Sequence, residues 1–129
     1  MAKQKLWYLG GCHCAAVQFQ VCLDVSVAES IDCNCSICSK KGFLHLIVET
    51  QDFRLVKGME MLKSYRFNTM IAEHRFCSVC GIHPFYTPRS HPDKVDVNLR
   101  CVEGIDIEKI PVQRFDGRHW EDNIAQLRR

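Results

Sequence analysis

The sequence lacks the features that define several large classes of protein. No hydrophobic stretch approaches the roughly 20 residues that a membrane-spanning helix needs. The first residues turn polar and glycine-rich before the apolar part of a signal peptide could form. No run of Lys or Arg is longer than two, which gives little support to a nucleic-acid-binding surface. We therefore expect neither membrane nor nucleic acid as a partner, and a cytoplasmic location, with the nucleus as an alternative in a eukaryote.

Internal repeats, linkers and low-complexity segments are absent as well. A chain of 129 residues, of which 47% are hydrophobic, is long enough to bury one core. We therefore predict a single domain that spans residues 1–129.

Short segments with β-strand character occupy most of the chain. Residues 5–9 are aromatic and aliphatic, and apolar and polar side chains alternate over residues 15–23. Further β-rich segments occupy residues 43–49, 53–57, 61–67, 95–101 and 110–115. The short spacing between residues 43 and 67 predicts an antiparallel meander of three strands.

Two later segments complete the expected fold. Residues 82–90 are aromatic and contain two prolines, which is typical of an edge strand because proline cannot donate to a β-ladder. Trp120, Ile124 and Leu127 recur at helical spacing and predict a short C-terminal helix. The expected class is mainly β, with antiparallel sheets and this one helix.

Cysteine, by contrast, is abundant. Seven of the nine cysteines form three groups, which are Cys12/Cys14, Cys33/Cys35/Cys38 and Cys77/Cys80. Clustered thiols without a secretory signal are more typical of metal ligands than of disulfides, and cysteines separated by one residue rarely bridge without strain. Two doublets supply the four ligands of a structural zinc site, whereas the triplet alone supplies three. We therefore predict two Zn²⁺ ions per chain, a structural one on Cys12, Cys14, Cys77 and Cys80 and a second one on Cys33, Cys35 and Cys38.

The second site has two interpretations. Three ligands leave one tetrahedral position free for water or substrate, whereas a fourth side chain from elsewhere would close the site. Cys101 is either a buried core thiol, a residue that lines the open site, or that fourth ligand. Three histidines on predicted strands could reach the site as a base or a ligand, and the pattern favours none of them: His45, His74 and His83.

Two further residues are expected to stay outside both sites. His13 lies between two ligands and should point away from the metal, and Cys22 lies on the polar face of its strand. The formal charge of +2 counts every thiol as neutral. Seven thiolates and two Zn²⁺ ions would together add about three negative charges, which leaves the folded protein near −1. Lys40 and Lys41, soon after the triplet, either offset its charge and meet an acidic substrate or form a solvated turn.

The cysteine groups resemble those of a known family. The resemblance rests on residues 11–14 (GCHC), 33–38 (CNCSIC) and 76–81 (FCSVCG), together with Phe85 and Tyr86. It is to the glutathione-dependent formaldehyde-activating enzyme family, which includes centromere protein V. The segments 86–90 (YTPRS) and 115–121 (FDGRHWE) are most similar to the centromere protein V branch.

This resemblance implies a β-tent fold of coiled antiparallel sheets around zinc, as in a Rab-binding exchange factor. It also implies a structural zinc on the two cysteine doublets and a second zinc on the triplet. In the founding enzyme the second metal is catalytic, and glutathione and formaldehyde give S-hydroxymethylglutathione. No glutathione-contacting residue can be carried over to this chain.

The chemistry of a three-thiolate zinc site favours one function. Three thiolates leave the complex with a net charge of about −1, which weakens its capacity to produce hydroxide and disfavours a hydrolase. A sulfur-rich ion is better suited to accepting another thiol, such as glutathione. We therefore expect a carbon–sulfur lyase that acts on a thiol–aldehyde adduct such as S-hydroxymethylglutathione. The alternative is a non-catalytic, zinc-stabilised protein-binding module similar to centromere protein V, with residues 85–88 as a partner-binding strand.

Overall fold

Two open β-sheets make up most of the molecule. The computed structural model describes residues 5–67 and 70–127. The strands are β1 (Leu6–Gly11), β2 (Gln18–Leu23), β3 (Ser30–Cys33), β4 (Leu44–Val48), β5 (Phe53–Lys57), β6 (Leu62–Tyr65), β7 (Glu73–Cys77), β8 (Phe85–Thr87), β9 (Val95–Asn98) and β10 (Val112–Phe115). The α-helices are α1 (Cys38–Lys41) and α2 (Trp120–Leu127), and the 3₁₀ turns are Thr50–Asp52, Met59–Met61, Leu99–Cys101, Ile107–Lys109 and Gly117–His119. The mainly β class with a short C-terminal helix is confirmed.

The smaller sheet has three antiparallel strands in the order β1-β2-β5. The alternation predicted for residues 15–23 is present, because Phe19 and Val21 are fully buried while Gln18, Gln20 and Cys22 are only half-buried. The Phe19 ring stacks on Phe53 of β5 at a centroid distance of 5.4 Å. One face of this sheet therefore covers the core.

The larger sheet has seven strands in the order β10-β3-β4-β9-β8-β7-β6. Its pairings are antiparallel except that β10 runs parallel to β3. Leu44, Leu46, Phe85 and Val97 pack against the small sheet in one hydrophobic core. No helix in residues 5–67 and 70–127 is long and apolar enough to cross a membrane.

The predicted meander over residues 43–67 is wrong. β4 lies between β3 and β9, β5 pairs with β2 in the other sheet, and β6 pairs with β7. The strands were located by their local side-chain pattern, whereas their partners are set by burial of each apolar face against distant segments. Strand β3 (Ser30–Cys33) was not predicted, because its four residues SIDC carry no period-two hydrophobic signal.

The predicted edge strand over residues 82–90 is also wrong. β8 pairs with β7 on one side and with β9 on the other. Both prolines lie outside its three residues, so neither removes a hydrogen bond from the ladder. Phe85 and Tyr86 are 5% and 6% exposed, so these side chains are buried.

The predicted C-terminal helix is α2, which follows β10. Of the three residues that predicted it, Trp120 and Ile124 are half-buried, whereas the side chain of Leu127 lies outside the described part of the structure. The guanidinium of Arg89 stacks over the Trp120 ring at 3.5 Å, which ties the helix to the segment that follows β8.

Candidate metal centres and the adjoining cavity

The two cysteine doublets meet at the start of the chain and at the end of β7. One ligand atom from each of Cys12, Cys14, Cys77 and Cys80 lies within 4.8 Å of the others. The Sγ atoms of Cys12 and Cys14 are 3.7 Å apart, and so are those of Cys14 and Cys77. Zn–S bonds of about 2.3 Å in a tetrahedron place sulfurs about 3.8 Å apart. The cluster therefore fits one zinc ion with four thiolate ligands.

Local backbone geometry shapes both halves of this cluster. Ala15 and Gly81 have positive φ angles of 67° and 78°, which let the chain turn tightly after each doublet. Backbone N–H groups point at the sulfurs, with Val17 N 3.3 Å from Cys12 Sγ and Val79 N 3.4 Å from Cys77 Sγ. Such donors favour the thiolate form that a metal ligand needs.

The cysteine triplet forms a second cluster between β3 and α1. The ligand atoms of Cys33, Cys35 and Cys38 also lie within 4.8 Å of one another. Hydrogen bonds from the Cys33 and Cys38 thiols and from backbone N–H groups hold the pKa of Cys35 far below its usual value, at about 2. The same hydrogen bonds stabilise the protonated form of the two donor thiols, so they raise the pKa of Cys33 to about 11 and that of Cys38 further. Three thiolates within 4.8 Å of one another would repel, so a cation among them would favour ionisation of all three.

Residues after β10 pack against the triplet cluster. A Cβ atom added to Gly117 would overlap Cys33 Sγ and would lie 3.0 Å from Cys35 Cβ, so only glycine fits there. Asn34 joins the two segments, because its side-chain oxygen accepts from Arg118 N at 3.0 Å and its backbone oxygen accepts from Arg118 Nε at 3.0 Å. The sequence analysis did not select Gly117, since its contact with cysteines more than eighty positions earlier exists only in the folded chain.

The triplet cluster opens onto a cavity of about 480 Å³. Strand alternation lines it, because His45 and Ile47 of β4 face the cavity while Leu44 and Leu46 face the core. No residue of the four-cysteine cluster lines this cavity or the second cavity described below. The two cysteine clusters therefore differ in that the triplet adjoins a cavity, whereas the four-cysteine cluster reaches the surface through the exposed Cys14.

A row of polar side chains crosses the cavity wall. His74, Tyr86 and Asp96 lie opposite one another on β7, β8 and β9. His45 Nδ1 lies 2.6 Å from Asp96 Oδ2 and 3.3 Å from the Tyr86 hydroxyl, with both members of the His45–Asp96 pair buried. Burial, and then the Asp96 charge, raise the pKa of Tyr86 well above its usual value. Asp96 alternates with the apolar residues Val95 and Val97, a pattern that does not predict burial, so this carboxylate was not among the candidate residues.

Lys41 stands between this row and the triplet cluster. Its Nζ lies 3.1 Å from His74 Nδ1 and over the rings of Phe43 and Tyr86 at 4.8 and 4.6 Å. Burial lowers the pKa of Lys41, against the opposing charges of Cys38 and Asp96. Burial and the Lys41 charge lower the pKa of His74 to about 4. His74 is therefore a neutral group near pH 7.

The remaining candidates lie elsewhere. His83 lines a second cavity of about 560 Å³ beside α1, together with Lys40 and Lys41. Cys101 is half-buried, with its thiol 3.9 Å from the carbonyl oxygen of His83, and the charges that raise its pKa after burial are those of Cys12 and Cys80. It therefore stands near the four-cysteine cluster and not at the triplet. His13 and Cys22 belong to neither cluster.

Fold and site together define a mainly β domain with two thiol clusters able to hold metal ions. The family model for the glutathione-dependent formaldehyde-activating enzyme matches residues 7–114. The chain is also similar to a crystal structure of a Rhodobacter sphaeroides protein, with a TM-score of 0.73 and 35% sequence identity over 81% of this chain and 99% of that one. The chain therefore belongs to the glutathione-dependent formaldehyde-activating enzyme family. Membership supports an enzyme with a glutathione-related, formaldehyde-activating function.

Proposed function

We propose that this protein is a zinc-dependent carbon–sulfur lyase that acts on thiol–aldehyde adducts such as S-hydroxymethylglutathione. The observation that carries the proposal is the asymmetry between the clusters: three sulfurs line a cavity, whereas the group of four does not. A volume of about 480 Å³ lies within the range of about 300–1,000 Å³ that is typical of small-molecule sites. Family membership supports a thiol as the substrate.

Each cluster would hold one zinc ion. Cys12, Cys14, Cys77 and Cys80 would hold the structural zinc, and Cys33, Cys35 and Cys38 the second one. When bound at the triplet, zinc supplies a positive charge that stabilises the thiolate form of a thiol ligand. The free thiols of both clusters support a reducing compartment, the cytoplasm, as the place of action.

The side chains around the triplet supply the remaining requirements. Lys41 brings a positive charge to a site that would otherwise carry the charge of three thiolates. Arg89 and Arg118 also line the cavity, whose acidic lining residues are Asp96 and Glu121. Guanidinium groups are well suited to carboxylates, of which glutathione has two. The cavity therefore favours a small, anionic thiol.

The test uses zinc-loaded protein and exchange spectroscopy. Mixed with glutathione and formaldehyde, the protein should accelerate exchange between free and hydroxymethylated glutathione above the spontaneous rate. The Cys35→Ser variant should lose this acceleration and bind one zinc ion fewer, while its thermal transition persists. Cys22→Ser is the matched control, because Cys22 belongs to neither cluster and should behave as wild type. Spontaneous exchange rates with every small thiol tried would contradict the proposal.

A protein-binding module is the alternative. The strand that motivated it, residues 85–88, is now seen inside the large sheet, with Phe85 and Tyr86 buried. Those side chains are therefore not displayed to a partner protein. If the protein holds two zinc ions but does not accelerate exchange between free and hydroxymethylated glutathione, the binding-module alternative would be favoured.

A further inference from the structure

The His45–Asp96 pair has a defined protonation pattern. A carboxylate can only accept, so the proton between Asp96 Oδ2 and His45 Nδ1 must be carried by the imidazole when the ring is neutral. The other ring nitrogen, Nε2, is then an acceptor without a proton. Nε2 is buried, and no hydrogen-bond partner for it is present among the described residues. A buried polar atom without a partner is uncommon in a protein and needs an explanation, of which a catalytic role is one.

No carboxylate contacts the other two candidate histidines among the described residues, although Nδ1 of His83 is also buried without a hydrogen-bond partner there. His74 faces the ammonium of Lys41 at 3.1 Å, and burial and that charge lower its pKa to about 4. His83 lines the second cavity, and its pKa is likewise lowered to about 4 by burial and by Lys41. His45 is the histidine of this cavity wall that has a carboxylate partner.

We infer that His45, oriented by Asp96, is the proton carrier of the thiol–aldehyde reaction in the triplet cavity. In the synthetic direction the thiol proton moves to His45 Nε2, and the sulfur lone pair forms the C–S bond while the C=O π bond breaks. The same proton then passes from Nε2 to the former carbonyl oxygen, which becomes the hydroxyl. The cleavage direction reverses these steps, so no proton or electron is gained or lost overall. This inference rests on the proposed function.

The charges around His45 support a transient imidazolium. Asp96 contacts it from β9, and the Tyr86 hydroxyl lies 3.3 Å away from β8. Lys41 from α1 and His74 from β7 are the nearby basic groups, with the three cysteines beyond them. Asp96 contacts the ring directly at 2.6 Å, whereas the Lys41 ammonium is placed over the Phe43 and Tyr86 rings.

The first experiment needs no variant. Nitrogen-15 NMR of the zinc-loaded protein should show His45 as the neutral tautomer that carries its proton on Nδ1. Addition of glutathione alone should convert the ring to the doubly protonated form. A ring that is already doubly protonated before the thiol is added, or one that stays neutral when glutathione is bound, would overturn the inference.

The second experiment counts protons by calorimetry in two buffers of different ionisation enthalpy. Wild-type protein should bind glutathione with almost no proton released, because His45 keeps it, whereas His45→Asn should release about one proton per thiol bound. Asp96→Asn should release more protons than wild type, because an amide lacks the negative charge that stabilises a protonated ring. His119→Asn is the control, since His119 pairs with Asp116 at 2.8 Å on the exposed surface.

The outcomes separate the two proposals. Equal proton counts in wild type and His45→Asn, with glutathione bound by both, would overturn the role of His45 and leave the lyase proposal standing. A wild-type protein that binds no small thiol would overturn the lyase and the role of His45 together. In turnover, loss of a proton carrier is expected to cost about 10²–10⁴-fold.

Discussion

Replacement of Gly117 by alanine should remove the second metal without removing the first. The φ angle of Gly117 is outside the left-handed region, so alanine is acceptable to the backbone. The added methyl would lie 3.0 Å from Cys35 Cβ and closer still to Cys33 Sγ, where ordinary contacts are about 3.5–4.0 Å. The Cys33 sulfur must therefore move by on the order of 1 Å, whereas metal–ligand distances tolerate only about 0.2 Å.

The expected result is a change of stoichiometry. Wild-type protein should contain two zinc ions, and Gly117→Ala should contain one, held by the four-cysteine cluster. Overpacking of this kind also costs about 1–3 kcal/mol of the free energy of unfolding. Zinc content by mass spectrometry under native conditions and the urea midpoint measure the two effects separately.

Gly42→Ala is the matched control for this experiment. Gly42 has a φ of 68° and nothing within 4 Å of an added Cβ, so alanine there costs about 1–2 kcal/mol through the backbone alone. This variant should be less stable but should keep two zinc ions. If Gly117→Ala binds two zinc ions with wild-type affinity, then the close contact of residue 117 with Cys33 and Cys35 does not shape the triplet site.

Three further predictions follow from the same structure. Cys77→Ser should lose the cooperative thermal transition that Cys22→Ser retains. The reason is that a structural zinc contributes about 10–16 kcal/mol, whereas the net stability of a domain is about 5–15 kcal/mol. Calorimetry compares the two variants, and equal transitions would contradict a structural zinc at the four-cysteine cluster. Asn34→Ala should weaken zinc binding at the triplet by about 10–100-fold in competition with a chelator, because it breaks the link to the segment after β10; unchanged affinity would refute this. The pKa of His74 is about 4 in the folded state, below its unfolded value of 6.5. Between pH 6.5 and pH 4 the unfolded chain therefore binds more protons than the folded one. The free energy of unfolding should fall as the pH falls through this range, by at most about 1.4 kcal/mol per pH unit. His74→Asn should reduce this slope in urea titrations relative to His119→Asn, and identical slopes would show that His74 is not the cause.

Local patterns located most of the strands but not their neighbours. The alternation around Phe19 and the β-rich run near Leu46 are properties of a few consecutive residues, and both became strands. Pairing depends on which apolar faces meet across the core, and spacing along the chain does not report this. The meander prediction is wrong for that reason. The edge position predicted for β8 is wrong because Pro84 and Pro88 flank the strand and do not lie within it.

The cysteine groups were predictable because ligand geometry is local. Spacings of one and two residues already restrict where sulfurs can converge, and both clusters form as grouped. The residues that distinguish one cluster from the other were less accessible to sequence reasoning. Asp96 lies between two apolar residues in the sequence, and Gly117 follows an aspartate as many turn glycines do, so neither residue was selected. Their roles depend on contacts with His45 and Cys33 across long stretches of chain.

The parallel pairing of β10 with β3 has a consequence for the order of events during synthesis. Every thiol of the four-sulfur group has been synthesised once residue 80 is added. The trio is translated much earlier, by residue 38, yet the strand and the glycine that shape its surroundings arrive only with residues 112–117. The order of synthesis thus allows the four-cysteine cluster to form before the surroundings of the three-cysteine cluster exist.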